Sequence, residues 1–280
     1  MANETNTTTL NDLVPEIIQE AMFQAEERSI MQGLVRTFSV PLGNGKTVDV
    51  PIYGASTAVT VAEGTDLANT AISTDVATLT VGEVGLMATV TDMARDISTD
   101  DVIVSVGRLF GEAIARKQDQ DLTALFAGFG TALGDGTTAM TAAKIFEAVA
   151  KLKALGLDPS GIACVLNPEI AYDLNSSMTN TFAGLASDTA NEAMRQGYVG
   201  TLSGIPVYET ANVISTAGDS VGGVFHKDAL GLASLRGISI EPQRDASLRA
   251  TELVGTAVYG VGELRDTYGI GMNFDSSIAS

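Results

Sequence analysis

Residues 98–128, STDDVIVSVGRLFGEAIARKQDQDLTALFAG, carry the pattern around which the rest of the chain can be organised. Their apolar side chains recur mainly at three- and four-residue spacings, which predicts one long helix packed on one side. The apolar stripe consists of Val102, Val106, Leu109, Phe110, Ala113, Ile114, Leu125 and Phe126, and the residues outside it are Arg108, Glu112, Arg116 and Asp119.

Signals for both ends of this helix are present in the same stretch. Ser98 with Asp101 resembles a capping box that uses the shorter acid. We expect Gly128 to end the helix in a left-handed conformation. Such a helix would be roughly 40 Å long. We therefore expect it to be a beam to which the other parts of the chain attach.

The composition indicates a protein that buries much of its surface against other subunits. The chain has 280 residues, a net charge of -18 and 45% hydrophobic residues, whereas only 18% of the residues are charged. That is little charge for the surface of a lone monomer, although a compact Ala-rich monomer remains an alternative. The acidity argues against a protein that wraps nucleic acid with a basic face. It does not argue against a container whose two faces differ in charge.

The compartment can also be inferred from the sequence. Cys164 is the only cysteine and lies in IACVL, which predicts a buried strand residue without a disulfide. The first nine residues have neither the basic segment nor the apolar core of a signal peptide. No apolar run approaches the length of about 18 residues that a membrane-spanning helix needs. We therefore expect a soluble protein without a membrane partner, made in a reducing cytoplasm.

Residues 47–91 change to a period of two and are rich in Thr and Val, which predicts a long hairpin. The expected strands are 47–53, 58–63 and 75–91. Between the second and the third lies a turn-rich tip at 64–70, and Gly82 and Gly85 indicate a bend or bulge in the third. A two-stranded ribbon is marginal in water. We therefore expect this one to lie on the parent domain or on a neighbouring chain.

The remaining chain alternates helices and strands, which predicts an α+β fold. A polar arm at 1–11 comes first. Helices are expected at 15–32, at 141–155 and from Pro168 onward. Gly33 and Gly156 would end the first two. Further strands are expected at 161–166, 205–209, 221–226, 236–242, 253–265 and 268–274.

No constellation typical of catalysis, metal binding or cofactor binding stands out. His226 is the only histidine, so neither a zinc site nor a histidine-activated nucleophile of the usual kind can be built, and we expect a structural residue at a strand end. The Gly-rich segment 128–138 follows a helix and lacks the ending of a P-loop. The acidic pair Asp100/Asp101 suits a helix start, and Asp119/Asp121 suits a solvated helix face. A hydrolase that uses two carboxylates remains an alternative.

Several short motifs occur in an order that is similar to that of a known family. They are TVAEGTDL (60–67), MARDIS (93–98) at the entry to the long helix, FAGFGT (126–131) at its end, NPE (167–169) and GIPVY (204–208). With an arm before the hairpin and strands at the end, this order resembles the HK97-like major capsid protein of tailed bacteriophages over essentially the whole chain.

The resemblance implies an HK97-like fold with a long spine helix, an extended β-hairpin (the E-loop), and peripheral and axial domains. It divides the chain into an N-terminal arm and helix (1–45), the extended hairpin (46–92), the spine helix of the peripheral domain (93–135), the axial domain (136–245) and closing strands of the peripheral domain (246–280). The hairpin would reach over a neighbouring subunit, with contacts near Glu63, Gly64, Thr65 and Asp66.

The function implied is that of a major capsid subunit. It would self-assemble, as hexamers and pentamers, into an icosahedral shell around a double-stranded DNA genome, without enzymatic activity or a cofactor. Some relatives join neighbours through a lysine on the hairpin, but residues 47–91 contain no Lys, so we expect non-covalent exchange of arms and hairpins. We expect deletion of residues 55–85 to leave a folded core that cannot close shells.

The resemblance also implies partners and a location. A separate scaffold protein, or assembly without one, is expected, together with portal and decoration proteins and non-specific contact with packaged DNA. The protein would reside in the virion capsid, and in the host cytoplasm during assembly. An encapsulin-like nanocompartment shell of the same fold, which would enclose a cargo enzyme, is the alternative.

Overall fold

The structure is a computed structural model that describes residues 29–278 except 42, 44, 55, 57, 65, 67, 68, 70, 98–101, 183–199 and 217. The predicted arm at 1–11 and most of the predicted helix at 15–32 lie outside the described residues. At the end of that stretch a one-turn helix, Met31–Leu34, contains Gly33 rather than stopping at it. The extended residue that follows the turn is Val35, so the prediction for Gly33 is wrong.

The long helix is present and spans Val102–Ala124, about 35 Å. A 3-10 turn, Leu125–Gly128, follows it. Gly128 does not have the positive φ predicted for it. It instead lies against the Glu263 carboxylate, where a side chain would clash. The predicted cap at Ser98 and Asp101 lies outside the described residues.

The strands form two sheets and a separate ribbon. In chain order the strands are β1 Arg36–Ser39, β2 Thr47–Tyr53, β3 Thr74–Thr80, β4 Gly82–Thr91, β5 Ala132–Leu133, β6 Ile162–Leu166, β7 Gly200–Leu202, β8 Ile205–Glu209, β9 Ser215–Thr216, β10 Asp219–His226, β11 Leu230–Asp245, β12 Ala250–Glu263 and β13 Gly269–Asp275. The first sheet has the order β1-β11-β12-β4. The second has the order β5-β13-β10-β6-β8-β7, with β9 paired to β10, and the ribbon is β2-β3.

Two helices, Ala142–Ala154 and Pro168–Phe182, contribute to the core of the second sheet. Their buried residues join strand residues such as Cys164 in one cluster. The first helix ends as predicted, because Gly156 follows it with a φ of 78°. Burial raises the pKa of the Cys164 thiol far above its ordinary value, which agrees with the predicted buried strand residue.

The long helix connects the two sheets, because Phe110 in its first half and Phe126 in the 3-10 turn that follows it each rest on a glycine of a strand. Phe110 lies on β12, where a methyl group at Gly255 would come 2.6 Å from the Phe110 ring. Phe126 lies on β10, where a methyl group at Gly223 would come 2.7 Å from the Phe126 ring. Both glycines therefore permit a close approach that a side chain would prevent. The predicted role of this helix as a beam agrees with these contacts.

Two predictions about the faces of the long helix are wrong. Leu109, assigned to the apolar stripe, is 61% exposed, and Ala113 is exposed as well. Asp119, assigned to a solvated face, is 0% exposed. The packed side of the helix is instead formed by Phe110, Ile114, Ala115, Leu122 and Phe126. Asp119 is buried because other parts of the chain fold over it, as described below.

The hairpin region differs from its prediction in two respects. The strand expected at 58–63 is not formed, and β2 pairs instead with β3, which begins at Thr74. The long strand expected at 75–91 is interrupted at Val81, beside the predicted bend at Gly82. Before the interruption the chain pairs with β2, and after it with β12. The bend therefore moves the chain from the ribbon into the first sheet.

The sheets do not follow the division of the chain implied by the resemblance. Strand β11, placed in the axial range 136–245, pairs along most of its length with β12, placed in the peripheral range 246–280. Strand β13, also from the peripheral range, pairs with β10 of the second sheet. The fold is α+β as predicted, while the division into domains stays a prediction.

Candidate subunit interface

The ribbon β2–β3 is largely exposed and belongs to the segment for which the sequence predicted contacts with a neighbouring subunit. Its strands are antiparallel, from the pair Thr47 and Thr80 at the base to the pair Tyr53 and Thr74 at the far end. The Gly54 N–H donates to the Ser73 carbonyl oxygen at 3.0 Å and closes the ladder. Residues 54–73 then form the loop that joins the two strands.

The base of the ribbon is fixed by Leu79, which is fully buried although most of its strand is exposed. Leu79 and the backbone of the two residues after it lie on three glycines of β11 and β12, called here the glycine bed: Gly231, Gly260 and Gly262. A methyl group would come 2.7 Å from Leu79 Cδ2 at Gly262 and 3.0 Å from Leu79 Cδ1 at Gly231. A methyl group at Gly260 would overlap the Thr80 carbonyl oxygen. The ribbon can therefore lie close to the first sheet only because these side chains are absent.

The turn from β3 to β4 is buried beside this anchor. Val81 is 5% exposed and belongs to the same apolar cluster as Leu79, Val40 and Leu264. The Val81 N–H donates to the Lys46 carbonyl oxygen at 2.9 Å. Residues 79–81 are thus part of the body of the subunit. A deletion of 55–85 would remove them and the start of β4, so we now expect this deletion to destabilise the core as well as to prevent shell closure.

The far end of the ribbon is held by Arg265. Its Nη2 donates to the Tyr53 carbonyl oxygen at 3.2 Å, and its Nη1 donates to the Tyr268 hydroxyl at 2.9 Å. The guanidinium also lies over the Tyr268 ring at 4.9 Å. Such stacking stabilises exposed pairs by about 0.5–1 kcal/mol. Arg265 therefore fixes the ribbon along the body up to the point at which the loop begins.

Large apolar side chains are exposed along the ribbon and its loop. Each of these side chains is between 40% and 65% exposed. They belong to Tyr53, Val59, Val61, Ile72 and Val76. Single exposed apolar residues are ordinary on protein surfaces, but several on one projecting segment indicate a contact surface. The ribbon thus presents apolar groups that its own subunit leaves uncovered.

The residues predicted from the resemblance lie in this loop. Glu63 and Gly64 form a turn in which Gly64 has a φ of 79°, a conformation that favours glycine. Both are exposed, as is Asp66, while Thr65 lies outside the described residues. Of the predicted tip at 64–70, Gly64 lies in this turn, while residues 65, 67, 68 and 70 lie outside the described residues. Their contact with a neighbouring subunit stays a prediction.

The apolar residues and the glycine bed were not among the predicted site residues. The exposed apolar side chains could have been found from the sequence, because Val and Ile recur through a segment with no second layer of its own. The glycine bed could not, because Gly231, Gly260 and Gly262 lie more than 150 positions from Leu79 in the chain. Only the fold brings them together.

The residues considered for chemistry make contacts within the fold where they are described. His226 is the last residue of β10, its Nδ1 accepts from the Asp228 N–H at 3.2 Å, and its ring meets Tyr268 edge-on. Asp121 accepts from the Tyr259 hydroxyl at 2.9 Å and pairs with Lys117. Among the described residues no three His, Cys, Asp or Glu side chains are grouped to hold a metal ion. None of the described helices is long and apolar enough to cross a membrane.

Comparison with known proteins identifies relatives of this fold. A family model described as phage capsid protein matches residues 74–270, more than half of the chain. The chain is similar to the capsid structure of cyanophage P-SCSP1u, with a TM-score of 0.69 and 20% identity over 89% of each chain. It is also similar to a structure of Mycobacterium phage Che8, with a TM-score of 0.67 and 24% identity over 82% of this chain and 85% of that chain.

A third likeness is to the head structure of Helicobacter pylori bacteriophage KHP40. Its TM-score is 0.69, with 13% identity over 88% of this chain and 91% of that chain. At these identities the structural likeness shows the fold, while the family match rests on the sequence itself. A search of curated proteins found no match.

Proposed function

The chain belongs to the phage capsid protein family and is a structural subunit of a capsid shell, and from this premise we propose that its ribbon and N-terminal arm bind neighbouring subunits non-covalently. In this proposal the subunits form hexamers and pentamers that close into an icosahedral shell around double-stranded DNA. The resemblance inferred from the sequence motifs is confirmed by the family match.

The observation that carries the proposal is the exposed apolar surface of the ribbon and loop. Its base is buried on the glycine bed, yet its outer residues Val59, Ile72 and Val76 have no cover from their own subunit. Burying one such side chain fully stabilises a contact by about 1.5–3 kcal/mol. Because each subunit both gives and receives a ribbon, modest contacts of this size add up around a closed shell.

The charge of the ribbon supports non-covalent contact with a neutral or basic surface. Residues 47–91 contain neither Lys nor Arg, and their charged residues are Asp49, Glu63, Asp66, Asp75 and Glu83. A lysine that could join the ribbon covalently to a neighbour is absent from this segment. Two such ribbons side by side would repel each other. We therefore propose that each ribbon lies on a neutral or basic part of a neighbour's body rather than on another ribbon.

The remaining expectations belong to the same proposal. The net charge of -18 requires that basic residues concentrate where the shell faces DNA, which would be held by non-specific contact. Scaffold, portal and decoration proteins would join during assembly in the host cytoplasm, and the finished location would be the virion. The shell would act without enzymatic activity.

An encapsulin-like shell would differ from a virion in what it encloses, a cargo enzyme instead of a genome. The match to a phage capsid family favours the virion.

Electron microscopy with sedimentation tests the proposal, using the wild-type chain and a variant whose ribbon is intact but whose loop is shortened. Replacing residues 55–72 by Asn-Gly joins Gly54 to Ser73, whose backbones are already hydrogen-bonded, through a tight turn. Leu79 and Val81 remain, so the body keeps its core. We expect closed shells or rings of five and six subunits from the wild type, and folded but unassembled subunits from the variant.

Two outcomes would contradict the proposal. Normal shells from the shortened variant would show that the loop does not hold neighbours together. A uniform small oligomer from the wild type, with or without an added scaffold candidate, would contradict shell formation and favour the hydrolase alternative. Nucleic acid in purified native particles would support a virion, and a protein cargo would support a nanocompartment.

A further inference from the structure

Two charged side chains are buried among the described residues, and both are aspartates. Asp119 in the long helix is 0% exposed, and Asp173 in the helix Pro168–Phe182 is 5% exposed. A buried carboxylate is costly unless hydrogen-bond donors surround it. When an aspartate is buried despite this cost in free energy and accepts hydrogen bonds from distant parts of the chain, its burial indicates a specific structural role.

The donors around Asp119 come from the N-terminal end of the described chain. Ser29 Oγ donates to Oδ1 at 2.8 Å, and the Ile30 N–H donates to Oδ2 at 3.0 Å. Asn212 Nδ2 also donates to Oδ2 at 3.2 Å. Burial raises the pKa of the Asp119 carboxyl above its ordinary value, while the hydrogen bonds act in the opposite direction. The carboxylate thus joins residues 29–30 to the long helix.

The third donor is itself held in place by the body of the subunit. The Asn212 carbonyl oxygen accepts from Thr123 Oγ1 at 3.1 Å, one helical turn beyond Asp119. Its N–H donates to Thr210 Oγ1 at 3.2 Å. Asn167 Nδ2 donates to the neighbouring Val213 carbonyl oxygen at 2.7 Å. Asp119 therefore ties the N-terminal residues to a rigid network that includes the long helix and the second sheet.

The donors around Asp173 come from the opposite end of the chain. The Ser277 N–H donates to Oδ2 at 2.9 Å, and Ser277 Oγ donates to Oδ1. The preceding Ser276 N–H donates to the Gly218 carbonyl oxygen at 3.1 Å. The same arrangement thus occurs twice: a buried aspartate accepts from the hydroxyl of a serine at one end of the described chain and from a nearby backbone N–H.

We propose that Asp119 and Asp173 are terminal anchors, each of which fixes the described residues nearest one end of the chain to the body. Asp119 holds residues 29 and 30 on the long helix, and Asp173 holds residue 277 on the helix Pro168–Phe182. A second consequence rests on the proposed function: by fixing residues 29–30, which follow the predicted arm and helix in the chain, Asp119 determines which neighbouring subunit the arm reaches. Both residues are positioning residues.

Hydrogen exchange on the full-length, unassembled subunit tests the anchors directly. Asp119→Asn removes the charge and one of the two acceptor oxygens, so the Ile30 N–H loses its charge-assisted acceptor, and we expect the amide of Ile30 to exchange at least about tenfold faster. The amides of 276–278 should be unchanged. Asp173→Asn should give the reverse pattern. Amides of β6, in the centre of the second sheet, report whether the body remains folded.

A matched control on the same helix is Asp121→Asn, which removes the same charge without touching Ser29 or Ile30. Ser29→Ala is a milder second variant, which removes one donor and keeps the buried carboxylate, for use if Asp119→Asn does not fold. Unchanged exchange at residue 30 in both variants, or equal acceleration at both ends of the chain in either aspartate variant, would overturn the proposal.

Shell assembly tests the consequence for the arm. We expect Asp119→Asn to reduce the yield of closed shells at least severalfold relative to Asp121→Asn. Faster exchange at Ile30 with an unchanged shell yield would overturn the role of Asp119 in arm direction. The exchange result is obtained before assembly, so failure of the anchor and failure of the shell function are distinguishable.

Discussion

At the scale of single residues, the pair Asp92 and Arg244 joins the short helix Asp92–Ile97 to the far end of β11. Arg244 donates through Nη1 at 2.7 Å and through Nη2 at 2.6 Å to the two oxygens of Asp92. These bonds hold the pKa of the Asp92 carboxyl below its ordinary value of 3.8. Bidentate geometry of this kind is specific to Arg.

This pair predicts a stability difference that depends on pH. A carboxyl whose pKa is lowered on folding stabilises the folded state above its unfolded pKa, and that stability is lost as the pH falls through the folded pKa. We therefore expect the melting temperature of Asp92→Asn to lie below that of the wild type above about pH 5, and the difference to disappear towards about pH 2.

The control for this measurement is Arg244→Lys, which keeps the positive charge but not the two parallel bonds. We expect this variant to lose only part of the pH-dependent stability that the Asp92–Arg244 pair contributes. Because other carboxyls titrate in the same range, the comparison with the wild type at each pH isolates the contribution of Asp92. A melting-temperature difference that does not change with pH would contradict the assignment.

The limits of sequence reasoning are clearest for Asp119 and Leu109. On the helix pattern Asp119 is a polar residue off the apolar stripe, and its partners Ser29 and Asn212 are about 90 positions away in either direction. Nothing local in the sequence distinguishes a solvated aspartate from one that is covered by distant donors. Leu109 shows the converse: its spacing fits the stripe, but the sheets that cover Phe110 do not extend over it.

At the scale of elements, the ribbon depends on one buried side chain and presents several exposed ones. We expect Leu79→Ala to destabilise the subunit by about 2–5 kcal/mol, because it removes a fully buried leucine over the glycine bed. Val76, on the same strand, is 54% exposed. We expect Val76→Ala to change the stability of the isolated subunit by no more than about 0.5 kcal/mol. Denaturant unfolding of the unassembled subunit measures both.

In shell assembly we expect the order of the two variants to be reversed, with Val76→Ala the more strongly affected. Under conditions in which both are folded, Val76→Ala should reduce the extent of shell formation measured by light scattering, because Val76 belongs to the surface offered to a neighbour. A large loss of subunit stability in Val76→Ala would contradict the exposed position of its side chain. A neutral Leu79→Ala would contradict the anchoring of the ribbon.

Elements with strong local patterns were predicted well, and those decided by distant pairing were not. Strand β8 was predicted at its observed bounds, and the helix Ala142–Ala154 within one residue, because the breakers Gly204 and Gly156 flank them. The strand expected at 58–63 is not formed. Alternation of side chains shows that a segment is compatible with a strand, but it does not show which segment would pair with it. The interruption at Val81 is set by the point at which pairing with β2 ends and pairing with β12 begins. Both partner strands lie outside this segment.

At the scale of the whole molecule, the long helix couples the two sheets into one unit. Ala at Gly255 would crowd Phe110 in the first half of the helix, and Ala at Gly223 would crowd Phe126 in the turn that follows the helix. We expect each substitution to destabilise the subunit by about 1–3 kcal/mol, and both to shift the same single unfolding transition. Calorimetry of the unassembled subunit measures this.

Gly237→Ala in β11 is the matched control, because a methyl group there meets nothing within 4 Å and its φ is not positive. It should leave the transition unchanged. Two separate transitions, of which Gly255→Ala moves only one and Gly223→Ala only the other, would show that the sheets unfold independently and would contradict coupling through the helix.

Strand β13 has a consequence for how the protein is made. It is the last strand in chain order, yet it lies between β5 and β10 inside the second sheet, and its Ile270, Met272 and Phe274 belong to the core of that sheet. A polypeptide released early by the ribosome, before residue 269, would carry the ribbon and both long strands of the first sheet but would leave β10 unpaired on one side. Products of interrupted translation would therefore present an open sheet edge to chaperones and proteases. We expect such chains to be removed before they can enter a growing shell.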